Sequence, residues 1–248
     1  MLTPNRVSAR KEGALAEGLI MKATLDTNVI IHLYDAGLEE VLHSSFDKIY
    51  VYEYIIETEL MNHGSVETKN AVRQDIADGK IVVIKKKDLL EIGMGSVFED
   101  HVRENRTIYE PGDLGEIYAI ALAKTLGLMI LVTDDIKEYG PHYSLMHDVY
   151  AEVIPIAFYE LFFFNFLEGK ITASEFISYF EKVNSLLNIP MSLEKCVYKF
   201  DTRFWYDPIS DREKHWFSDW CSEIGVNYEK KYDELWDAME EQQSKSDI

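Results

Sequence analysis

Four acidic clusters carry the chemistry that this sequence can do: Asp26 in LDTNVII, Glu59 in ETEL, Asp113 and Glu116 in PGDLGEIYAIALA, and Asp134-Asp135 in LVTDD. Three of them fall where an apolar, strand-like run gives way to a helix-like run. Glu59 falls inside a helical stretch that follows such a strand. Carboxylates delivered to one edge of a parallel sheet repel one another and raise each other's pKa values. Mg²⁺ or Mn²⁺ relieves that repulsion, because these ions take oxygen ligands and keep several waters. One ion lowers the pKa of a bound water and a second stabilises a leaving oxygen, so phosphodiester hydrolysis needs no His or Lys base.

Each carboxylate also has a purely structural reading. Asp26 caps the helix after it. Asp113 with Glu116 three residues on has capping-box spacing, Asp standing in for Ser or Thr. Asp134 caps whatever follows its strand, and Glu59 is a solvated helix position. The conjunction carries the functional reading: in a doubly wound sheet, strand carboxyl ends meet at the crevice where strand order reverses. Asp113 and Glu116 share one face near the positive end of a helix dipole. Asn28 and Thr133 then fall where a group orienting the ligands or the substrate would sit, or serve only turn and cap hydrogen bonds.

The elements that must position these acids follow from hydropathy period. Ala23 to Leu25, Ile49 to Tyr52, Ile81 to Ile84, Leu128 to Thr133 and Val153 to Ile156 read as strands. Short helices flank Gly37. Ile55, Ile56, Glu59 and Leu60 have helical spacing, and helices are expected over Val66 to Asp78, Leu89 to Arg103, Asp113 to Leu126, Ala157 to Leu167 and Thr172 to Leu187. Strands alternating with helices predict a three-layer α/β/α sandwich on a mostly parallel sheet of four to five strands. The expected organisation is an N-terminal extension (1–21), one α/β domain (22–190) and a helical C-terminal appendage with a frayed end (191–248). Met21 looks like a true start.

The chain has 248 residues, 44 acids against 25 bases, and a formal charge of −19. That balance disfavours non-specific attraction to nucleic acid, so a nucleic-acid substrate needs bound metal or local basic patches. Arg103 and Arg106, i and i+3 before Pro111, are the candidates for phosphate contact. Lys85-Lys86-Lys87 reads as a solvated run guarding an edge strand. Two cysteines make no disulfide framework, and the histidines show no zinc spacing. Ile156 to Leu167 is too short and polar to span a bilayer. A cytoplasmic protein without membrane association is expected. Phe158, Phe162-Phe163-Phe164 and Phe166 exceed what one helix face hides, which leaves room for an oligomer contact.

Taken together, LDTNVII, an acid in xEL, GEIYAIALAKTLG and LVTDD resemble the PIN-domain ribonucleases. GExxAIALAxxLG followed by TDD is most similar to a prokaryotic subgroup often encoded beside toxin–antitoxin-like loci, over about residues 22–190. The resemblance implies metal-coordinating, catalytic roles for Asp26, Glu59, Glu116 and one or both of Asp134 and Asp135, with one or two Mg²⁺ or Mn²⁺ ions. Asp113 lies one turn before the family's acidic position, as a fifth acid or only a cap. The implied substrate is RNA in preference to DNA. Three alternatives stand beside it: a DNA-cleaving member, a catalytically weak protein-binding module using the four tryptophans, and a haloacid-dehalogenase-like phosphatase with Asp26 as nucleophile. The last lacks an acid at position 28, where Asn28 cannot protonate a leaving group.

Overall fold

The computed structural model describes residues 22–107, 114–133, 153–206 and 211–246. Asp113, Asp134, Asp135 and the 1–21 extension lie outside the described residues. The chain forms one five-stranded sheet in the order β3-β2-β1-β4-β5, from β1 (Lys22–Leu25), β2 (Lys48–Tyr52), β3 (Ile81–Ile84), β4 (Ile130–Val132) and β5 (Ile154–Ile156). Every pairing is parallel, so the expected "mostly parallel" sheet is wholly so. Residues 23–25 and 130–132 are buried throughout, the mark of strands covered on both faces.

Successive parallel strands require right-handed crossovers, and strand order reverses at β1. Helices α1 (Thr27–Asp35), α2 (Glu39–Ser45) and α4 (Val66–Ala77) connect β1 through β2 to β3 on one face. A π-helical segment, Ile55–Leu60, runs into the short α3 (Met61–His63) after β2. The return from β3 to β4 carries α5 (Lys86–Glu91), α6 (Gly95–Asn105) and α7 (Leu114–Leu126) over the other face. The single helix expected over Leu89 to Arg103 is two. Gly93 at φ 76 breaks it, a left-handed backbone that only glycine adopts without strain.

After β5 comes α8 (Phe158–Leu167), buried at every position. It lies beside α2 and is covered by α9 (Ala173–Asn184), α10 (Leu193–Asp201), α11 (Asp211–Glu223) and α12 (Tyr228–Ser246). Phe163 stacks on Phe200 at 4.0 Å between ring centroids, and Phe164 meets Trp220 edge-on at 5.2 Å. The phenylalanine surplus is thus hidden within one chain, by Phe176, Tyr179 and Phe180 of α9 and by the helices that follow it, and calls for no oligomer contact. Trp216, Trp220 and Trp236 all pack into this same core.

One polar knot crosses the junction. Arg203 reaches both oxygens of Glu160 at 2.9 and 2.8 Å, the Pro155 carbonyl at 2.8 Å and Glu213 at 2.9 Å. All three charged groups are buried. Burial pushes the Glu160 carboxyl up against the pull of Arg203. Among the described residues, no helix is long and apolar enough to cross a membrane.

Candidate metal centre

β1 and β4 pair side by side where strand order reverses, the place where open α/β sheets form ligand crevices at their carboxyl edge. The backbone N–H of Asp26 donates to the Val132 carbonyl at 2.9 Å, and Thr133 N–H donates to Ile156 at 2.9 Å. These two bonds carry the ladder one step beyond the strands and set Asp26 level with Thr133. Both side chains are buried.

Asp26 is also the N-cap of α1, at φ −81 and ψ 157, with Oδ1 accepting the Thr27 N–H at 2.7 Å. The capping and ligand readings are therefore compatible: one oxygen anchors the side chain to the helix start, and the carboxylate stays at the sheet edge. Thr27, itself buried, donates its hydroxyl to Glu59 Oε2 in a short hydrogen bond. The helix-start signal at Asp26-Thr27-Asn28 thus also contains the group that fixes a second acid.

Glu59 sits within the π-helical segment and is half-buried. Such segments are single-turn insertions that recur at functional sites. Its carboxylate lies against Gly115 at the start of α7. A Cβ on Gly115 would come within 2.7 Å of Glu59 Cδ and 2.8 Å of Oε1, and closer still to Oε2. The glycine of GDLGE is therefore needed for close approach. Glu116 follows directly, buried in the first turn of α7, where the helix dipole favours negative charge.

The segments that carry three of the four acidic clusters thus come together at one edge: Thr27, next to Asp26, reaches Glu59, and Glu59 lies against Gly115, next to Glu116. Sequence reading overlooked Thr27 and Gly115. A hydroxyl next to an acid and a glycine in a helical first turn were the available signals. Asn28 does not join them; it is exposed on α1. Arg103 and Arg106 are exposed at the end of α6, Arg103 paired with Asp100.

Tyr54, one turn before Glu59, holds its hydroxyl proton more tightly than a free tyrosine, through burial and then through the negative charge of Glu59 and the neighbouring Tyr118. The donor set is carboxylate and hydroxyl oxygen, which suits hard Mg²⁺ or Mn²⁺ rather than zinc. Cys196 and Cys221 are buried elsewhere, the Cys221 thiol pushed up to about 12 by burial. Among the described residues, no three His, Cys, Asp or Glu side chains are grouped closely enough to enclose an ion; Asp113, Asp134 and Asp135 are not among them. The fit to a hard divalent ion rests on the donor types and on the room that Gly115 leaves for Glu59. No family model, no curated protein and no solved structure matches the chain.

Proposed function

We propose that the chain is a divalent-metal-dependent nuclease of PIN type, hydrolysing phosphodiester bonds, with RNA as the preferred substrate. One observation carries the reading: Glu59 accepts from Thr27, the neighbour of Asp26, while lying against Gly115, the neighbour of Glu116. This contact of the three segments that carry the acids, beside the carboxyl edge of the sheet's switch point, is what supports the reading. Structural capping explains Asp26 alone but gives no reason for Glu59 to be drawn there.

Asp26, Glu59 and Glu116 would hold Mg²⁺ or Mn²⁺, joined in this proposal by Asp134 and Asp135, with Asp113 as an outer acid. Bound divalent ions supply a water of lowered pKa and charge stabilisation for the leaving oxygen. The chain's own contributions are positional. Thr27 fixes the rotamer of Glu59, the α1 backbone fixes Asp26, and Gly115 leaves the space that Glu59 occupies. The preference for RNA rests on the family resemblance, since carboxylate-held metal addresses the phosphodiester and not the sugar.

The test is a Mn²⁺ titration of cleavage on matched RNA and DNA single strands, wild type beside Asp26→Asn. Asparagine is as good an N-cap as aspartate, so the fold should persist while cleavage falls by at least about 100-fold, as expected for loss of one carboxylate from the metal set. Wild-type protein that cleaves neither polymer with Mn²⁺, or an Asp26→Asn variant as active as wild type, refutes the proposal.

A further inference from the structure

Beside the acidic edge, β2, α5, α6 and the first turns of α7 enclose a groove of about 360 Å³, a volume typical of small-ligand sites. Tyr52 and Phe98 form its floor, both buried, with ring centroids 4.7 Å apart. Tyr118 of α7 stands 5.0 Å from Tyr52 and lies nearly parallel to Phe98, at 14° and 6.2 Å. Tyr54 continues the ladder, 4.9 Å from Tyr118. Tyr54 and Tyr118 are only half-buried, so ring surface remains for a ligand. The ladder lies beside the acidic edge, because Tyr54 immediately precedes the π-helical segment that carries Glu59, and Tyr118 lies on the helix whose first turn carries Glu116.

Three cations line the groove together with one acid, Glu99, in a chain with 44 acids and only 25 bases. Lys86, Arg103 and Arg106 all line it. Lys86 is paired with Glu99 at 2.8 Å and Arg103 with Asp100. Arg106 is exposed and forms no ion pair among the described residues. Aromatic faces beside a track of cations are the means by which proteins hold unpaired bases and their phosphates without reading sequence.

We propose that this groove is a subsite for a single-stranded nucleic-acid segment leading into the acidic edge, with a base on Tyr118 and Tyr54 and phosphates on Arg103, Arg106 and Lys86. It rests on the nuclease reading for the identity of the polymer, but binding here does not require the carboxylates to be catalytic. Apolar filling alone would explain Tyr52 and Phe98. It would not explain half-open tyrosines ringed by three of the chain's few cations.

The experiment is fluorescence anisotropy in EDTA at low salt, so that no cleavage occurs, with labelled oligouridylate and oligothymidylate of about twelve nucleotides, inside the usual range of single-strand site sizes. Wild type should bind both. In the exposed double variant Arg103→Ala, Arg106→Ala, the slope of log K against log salt should shrink by about 1.4, at roughly 0.7 per lost phosphate contact. Tyr118→Ala should bind roughly ten- to a hundredfold more weakly, as loss of one stacked base implies. Should Tyr118→Ala fail to fold, photocrosslinking of oligouridylate to the wild type should map to Tyr54 or Tyr118. Absence of wild-type binding, a double arginine variant with unchanged slope, crosslinks elsewhere, or a preference for duplex overturns the proposal. Intact single-strand binding without Mn²⁺-dependent cleavage overturns only the nuclease reading.

Discussion

Gly115→Ala separates the site from the fold. The new Cβ would stand 2.7 Å from Glu59 Cδ and 2.8 Å from Oε1, against the roughly 3.5–4.0 Å of an ordinary carbon contact. Glu59 must retreat by about 1 Å, because the α7 backbone is the stiffer partner and the carboxylate is the free end of a long side chain. The helix gains up to about 1 kcal/mol of propensity from the exchange. Against this stand about 1 kcal/mol for the lost Thr27 hydrogen bond and about 0.5–1.5 kcal/mol if Glu59 is driven off its rotamer. The net loss is no more than about 2 kcal/mol, less than roughly 8 °C in Tm for a chain of this size. A ligand displaced by 1 Å is another matter. Mg²⁺ demands oxygen distances near 2.0–2.1 Å, and even disturbed outer partners typically cost about 10–100-fold in affinity. Calorimetric Mn²⁺ titration beside a thermal melt should therefore show weakened metal binding, at least tenfold, on a nearly intact fold. A Gly115→Ala protein that binds Mn²⁺ and cleaves as wild type does would show that Glu59 is not a ligand and that its position is incidental.

Two further perturbations probe the scaffold. Asp75 accepts from Tyr34 at 2.6 Å and His43 at 2.9 Å and pairs with Lys80 at 3.2 Å. Burial opposes its ionisation, but the hydrogen bonds from Tyr34, His43 and Lys80 outweigh burial and hold its carboxyl below the usual aspartate range. The stability it contributes is therefore present above the unfolded value and lost as pH falls through the lower native one. Asp75→Asn should cost about 1–3 kcal/mol at neutral pH and flatten the acid limb of the urea-midpoint profile; an unchanged profile would remove Asp75 from the acid response. Arg203→Met strands Glu160 and Glu213 in the core and should cost about 3–5 kcal/mol. The loss should ease on acidification, since protonated carboxyls are cheaper to bury. A urea midpoint equal to wild type, or a loss indifferent to pH, would show that these carboxyls are solvated in the variant.

Strands were the most legible part of the fold, because all five are largely apolar runs of three to five residues, and in β4 and β5 burial at every position leaves no polar alternation to confuse them. The helix over Leu89 to Arg103 misled because its period is helical on both sides of Gly93, and only a positive φ reveals the break. Glu59 was placed by spacing on an ordinary helix. The structure winds that stretch as a π-helix, which pattern cannot distinguish over six residues. At the site, acids could be enumerated from sequence, but what joins them could not. Thr27 and Gly115 become visible only when residues 32 and 56 positions from Glu59 in sequence are brought together by the sheet edge. The tyrosine ladder was hidden for the same reason: Tyr52 and Tyr54 alternate locally, while Phe98 and Tyr118 arrive from other helices.

The wholly buried helix Phe158–Leu167 imposes an order on the birth of the molecule. Its cover is made by Ala173–Asn184, Leu193–Asp201, Asp211–Glu223 and Tyr228–Ser246, all of which leave the ribosome after it. At about 5–20 residues per second, the nascent chain carries an uncovered phenylalanine ridge for several seconds. During that interval the parallel sheet is complete through β5, but of the outer cover only Ala173–Asn184 has emerged early, and Phe164 still lacks Phe200, Phe204 and Trp220. The C-terminal helices therefore act as a closing clasp, and any event that halts translation between residues 170 and 190 leaves a sticky, chaperone-dependent fragment rather than a smaller folded unit.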